Sequence, residues 1–154
     1  MENDRRSEDE IRSERGERQE DDILCEAVPG AILLTGNAGG GKLFMRAEET
    51  GRDWTVIVTG GAAPHIGCAV LAVPRESLRG DGKRSSTTSV LNVTGHKDEE
   101  ICRYAAERLA AATGRIVVCT GGVHIEGITK DQIDGIRDMA AEMTERLVRA
   151  AVMK

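Results

Sequence analysis

From Ile23 to Thr94 the apolar residues come in short alternating or β-branched runs, broken by glycine, proline and asparagine. Runs of this kind predict strands. They fall at 23–28, 31–35, 42–49, 54–59, 66–73 and 87–94, with turn signals at Pro29-Gly30, across 36–41 and at Gly51. Pro74 closes the fifth run, and 75–86 reads as a polar loop. The period then changes. Over 98–113, Ile101, Tyr104, Ala105, Leu109 and Ala112 share one helical face, and Gly114 is a natural stop. A short β-branched run follows at 115–120. Thr129 and Gln132 have capping-box spacing and open a second helix, striped by Ile133, Ile136, Met139, Ala140, Met143, Leu147 and Ala151.

Strands first and helices last predict an α+β fold. The expected architecture is a single mixed, mostly antiparallel sheet of about six strands, with two C-terminal helices on one face. One βαβ crossover would carry 115–120 parallel to 87–94, in the right-handed sense.

Charge divides the chain. Residues 1–22 hold ten acidic and five basic side chains, which accounts for the whole net charge of −5; residues 23–154 carry 16 of each sign. The first segment has one branched apolar residue, Ile11, and reads as a disordered acidic tail before a domain over 23–154. A neutral domain with three aromatic residues (Phe44, Trp54, Tyr104) offers neither a basic face nor a stacking platform for nucleic acid. No apolar run approaches the roughly 20 residues of a membrane span, and the charged first residues show no secretory signal. Cys25, Cys68, Cys102 and Cys119 are scattered, without a C-x-x-C pair. They read as buried reduced thiols of a cytoplasmic protein, not as zinc ligands.

Counting strand directions places the unusual loops together. If the first strands are joined by short turns, segments 36–41, 60–67, 95–98 and 121–126 all lie on one sheet edge. That edge then holds Gly61, His65, Gly67, His96, Lys97, His124 and Glu126, including all three histidines of the chain. Both helices begin there as well. Glycines permit close backbone approach and helix N-termini favour anions, so the edge is a candidate site for a phosphate or other anionic ligand.

Single motifs within it are weaker. Gly36 to Lys42 matches the first part of a phosphate-binding loop, but Leu43 stands where the magnesium-binding hydroxyl belongs and the next residues alternate like a strand. A glycine-rich hairpin tip is the better reading. His65, His96 and His124 form an alternative metal site, with Asp98 or Glu126 nearby, although no H-x-H or H-x-x-x-H spacing marks it. His65 or His96 beside Asp98 also suits acid–base chemistry, so a small metal- or histidine-dependent enzyme stays open. Ser85, Ser86 and Ser89 are further hydroxyl donors.

Gly60-Gly-x-x-Pro64-His65-Ile-Gly67-x-Ala69, Pro74-Arg75-x-Ser77-Leu78, Ser86-Thr-Thr-Ser89-Val90-Leu91, Gly95-His96-Lys97-Asp98 and His124-Ile125-x-x-Ile128-Thr129 stand in order. Together they resemble the LpdD-like family, small D-type subunits associated with gallate and hydroxybenzoate decarboxylases. The resemblance implies a non-catalytic, chaperone-like carrier of prenylated flavin mononucleotide (prenylated FMN) for a UbiD-type decarboxylase. It implies a flavin prenyltransferase as a further partner. His65, His96, Lys97 and His124 carry over as ligand contacts, followed by Ser86, Thr87 and Thr88. A ligand-free accessory subunit is the other alternative. A sheet with exposed edges and helices on one face also predicts a homodimer.

Overall fold

The computed structural model describes residues 23–153. The acidic tail expected over 1–22 lies outside them. Seven strands form one sheet: β1 (Ile23–Val28), β2 (Ala31–Ala38), β3 (Gly41–Thr50), β4 (Asp53–Gly61), β5 (Cys68–Glu76), β6 (Arg84–Asn92) and β7 (Val117–His124). Helix α1 (Glu99–Thr113) separates β6 from β7, and α2 (Lys130–Val152) ends the fold. The class is the expected α+β, with one strand more than the six anticipated.

The strand order is β1-β2-β3-β4-β7-β5-β6, and β4–β7 is the only parallel pair among the described strands. β7 runs in the same direction as β6, as expected, but does not lie against it. It inserts between β4 and β5, pairing Val56 with Cys119 on one side and Val70 with Cys119 on the other. The reason is burial. Val117 and Cys119 are fully buried, as suits a central strand.

Alternation sets the faces. Leu43, Met45 and Ala47 of β3, Val56 and Val58 of β4, and Val70 and Ala72 of β5 point under the helices and are buried. Ile101, Cys102, Ala105 and Leu109 of α1 meet them, with Ile136, Met139, Met143 and Leu147 of α2. Tyr104, expected in the stripe of α1, is partly exposed and donates its hydroxyl to Glu145 of α2 at 3.0 Å. Among the described residues no helix lies on the opposite sheet face. Phe44, Ile57, Val118, Leu71, Val73 and Leu91 are exposed there, across five adjacent strands.

Two local expectations change. Pro74 does not end its strand: β5 runs on to Glu76, and Pro74 pairs with Ser86. Beyond Ala72 the ladder to β7 has stopped, so β5 has a free side where a missing N–H is tolerated. The polar loop expected over 75–86 therefore shrinks to a hairpin connection at 77–83, on the edge away from the histidines. The stretch 36–41 is mostly strand, and only Gly39 and Gly40 turn, both with positive φ (62° and 83°). Lys42 continues β3, so the chain forms a hairpin tip and no phosphate-binding loop.

Candidate functional site

The inserted position of β7 builds the site. The connection from β4 to β5 must cross the carboxyl end of β7, and it is pinned there at both ends. Ala62 N–H donates to the His124 carbonyl and Gly67 N–H to the Gly121 carbonyl, each at 2.9 Å. Val93 N–H then donates to the Gly67 carbonyl at 2.9 Å, drawing the exit of β6 to the same place. His96 N–H closes a turn on the Val93 carbonyl at 3.1 Å, with Gly95 at φ 84° supplying the left-handed residue.

His65 and His96 thereby meet. His65 Nε2 lies 2.9 Å from His96 Nδ1, and their ring centroids are 4.5 Å apart. Asp98 Oδ2 lies 3.4 Å from the first nitrogen and 3.5 Å from the second. His65 Nδ1 lies 3.1 Å from the Ala63 carbonyl, which can only accept. In the tautomer with its proton on Nδ1, the ring donates to this carbonyl and Nε2 presents a lone pair. His124 ends β7 and stands edge-on to His65, with centroids 6.3 Å apart.

Asp98 is the residue the sequence undervalued. It occupies the N-cap position of α1 yet makes no side-chain cap. Its Oδ1 instead accepts from Val123 N–H at 3.0 Å, which turns Oδ2 toward the two histidines. Asp at a helix start signals a cap from sequence alone, and only the fold shows this one diverted.

Glycines make the room. A Cβ on Gly122 would stand 2.6 Å from His65 Nε2, and a Cβ on Gly67 would overlap Asp98 Oδ2. Neither glycine needs positive φ; both are required by space. Gly61 differs, with φ 74° and no room beside the His124 carbonyl.

The remaining expected residues divide. Lys97 and Glu126 lie exposed on the loops of this edge. Ser86, Thr87 and Thr88 do not join them. They sit in the first half of β6, four to six residues before Asn92, or about 14–20 Å along the strand. Their hydroxyls are engaged: Ser86 donates to the Glu107 carbonyl, Thr88 to Glu107 Oε1, and Thr87 accepts from Arg75 Nε. The helix starts also offer less to an anion than expected. A complete capping box of Thr129 and Gln132 closes α2, and Glu99 and Glu100 occupy the first turn of α1.

Next to the histidines the same edge carries a shallow depression of about 470 Å³, lined by residues 37–42. Lys42 is its cation, and Gly41 packs close to Gly61. Ile66 and Val93 are exposed beside the cluster, at 65% and 46%.

A family model of the prenylated flavin chaperone LpdD-like domain matches residues 37–151, which span every loop of this site. The chain belongs to the LpdD-like family. Protein LpdD of Lactiplantibacillus plantarum is 29% identical over 115 residues, covering 75% of this chain and 81% of that protein. A solved chain from a chaperone complex for yeast 20S proteasome assembly aligns over 85% of this LpdD-like chain and 98% of its own length, at 10% identity and a TM-score of 0.49. No helix among the described residues of the LpdD-like fold is long and apolar enough to cross a membrane.

Proposed function

We propose that this LpdD-like chaperone binds prenylated FMN at the glycine- and histidine-rich edge and delivers it to a UbiD-type decarboxylase in the cytoplasm, taking its cargo from a flavin prenyltransferase. Family membership across residues 37–151 carries this reading. The residues of this edge fit such a group. Ile66 and Val93 offer apolar contact to a ring system, and no aromatic residue is needed for it. Lys97 and Lys42 offer ammonium groups to a phosphate on an edge where glycine backbone can approach closely. Gly61, Gly67, His65, His96, His124 and Glu126 shape or line the same surface. The reactive chemistry belongs to the flavin; the chain holds it and limits its contact with oxygen.

A second copy of the chain completes the assembly in this reading. Among the described residues the sheet face away from the helices presents a broad apolar surface, on which Arg46 and Glu48 pair with each other.

Delivery is tested with apo decarboxylase and an anaerobic supply of reduced prenylated FMN. Loaded chain should activate the decarboxylase faster than the same amount of free cofactor, and Lys97→Ala should weaken flavin capture about tenfold. Equal activation by free cofactor at every concentration would refute the carrier role.

A further inference from the structure

We propose that His65 Nε2, His96 Nδ1 and Asp98 Oδ2 form a binding site for a first-row divalent transition-metal ion. This inference does not rest on the flavin reading, since it follows from three donor atoms and what surrounds them.

The three atoms come from the β4–β5 connection, the turn before α1 and the N-cap position of α1, and their separations are 2.9, 3.4 and 3.5 Å. All lie within 4.8 Å of one another. Donors bonded at about 2.1 Å to a shared ion stand about 3.0 Å apart at a right angle and about 3.4 Å apart at the tetrahedral angle. The observed triangle spans that range.

Two of the three ligands have outer contacts of the kind a metal site uses. With its proton on Nδ1, His65 donates to the Ala63 carbonyl and can turn Nε2 to an ion. Asp98 Oδ1 is held by Val123 N–H, so the carboxylate has one oxygen fixed and one presented. Its failure to cap α1 has the same origin: the side chain is used across the site instead. Gly67 and Gly122 keep the space around Oδ2 and Nε2 free of side chains.

The site is open on one side. The side chains of His65, His96 and Asp98 retain 25%, 35% and 12% of their exposure. Two imidazoles and one carboxylate leave further coordination positions for water or an oxygen donor, as in exchangeable centres. Imidazole donors favour zinc, cobalt, iron or manganese over calcium or magnesium. His124 remains outside the donor triangle, so Asp98 and not the third histidine completes the set.

Cobalt(II) is the probe of choice, titrated into metal-stripped, flavin-free full-length protein carrying Cys25→Ser to remove the exposed thiol. One equivalent should bind saturably with visible d–d absorption. Asp98→Asn keeps an oxygen for Val123 N–H, and together with His96→Gln it should weaken binding at least about 100-fold with an unchanged circular-dichroism spectrum. His124→Gln should keep it. Absence of saturable binding, or binding that survives the double variant, would overturn the site and leave a proton-linked His–His–Asp network. Because no flavin is present, failure here leaves the carrier reading standing, and loss of flavin capture in Lys97→Ala leaves this one standing.

Discussion

Gly122 lies beneath the His65 ring, and its replacement by alanine sets a new methyl carbon 2.6 Å from Nε2. The ring must move, while the strand itself needs no special φ at this residue. Gly122→Ala should therefore fold with near-native stability yet shift the His65 and His96 imidazole resonances in NMR spectra. Unchanged resonances would show that the ring is not held as described. Cysteine reactivity is a second consequence at this scale. Burial pushes the Cys68 thiol up to about 12, and Cys102 is raised by its hydrogen bond with Cys119 and by burial. Cys25, expected to be buried, is exposed on β1. A thiol reagent at pH 8 should modify one cysteine rapidly in native protein and the other three only after denaturation. Three fast equivalents would contradict the packing under α1.

At the scale of elements, the two helices are joined by a clamp. Arg108 Nε and an η nitrogen donate to the two oxygens of Glu145 at 2.7 Å each, and Tyr104 adds its hydroxyl. The Arg108 contact holds the Glu145 carboxyl below its ordinary value of 4.5. A group lowered on folding stabilises at pH above that value, and the contribution is lost as pH falls below it. Glu145→Gln should lower stability by about 1 kcal/mol or less at pH 7, given the partial exposure of both partners, and by progressively less toward pH 3. Equal losses at both pH values would contradict the clamp. Thr129→Ala, removing half of the capping box, should cost about 1 kcal/mol in urea unfolding.

Much at this scale was legible in the chain. Alternating or β-branched runs marked the strands, the 3.6-residue period marked both helices, and Gly114 and Thr129 marked the stop of the first and the start of the second. The insertion of β7 was not legible, because strand order depends on which buried edges fit and leaves no local trace. It is this insertion that carries the β4–β5 connection over Gly122. Pooling the histidines at one edge followed from strand parity. Choosing Asp98 over Glu126 as the carboxylate beside them required seeing where its side chain goes.

For the whole molecule, the described residues cover the seven-stranded sheet with helices on one side, and in the proposed dimer a second copy closes the other. Leu71 lies central on that bare face, beside Val118 of β7. Leu71→Asp should halve the native mass from dimer to monomer while keeping the circular-dichroism spectrum, since the position is outside the helix-covered core. A wild-type monomer at micromolar concentration would contradict the proposed pairing. The carrier role is tested most directly by native mass spectrometry. The full chain is co-expressed with a flavin prenyltransferase, without a decarboxylase to take the cargo, and purified without oxygen. A bound mass equal to prenylated FMN on each chain, diminished in Lys97→Ala, is the predicted result; bare polypeptide under those conditions would contradict it.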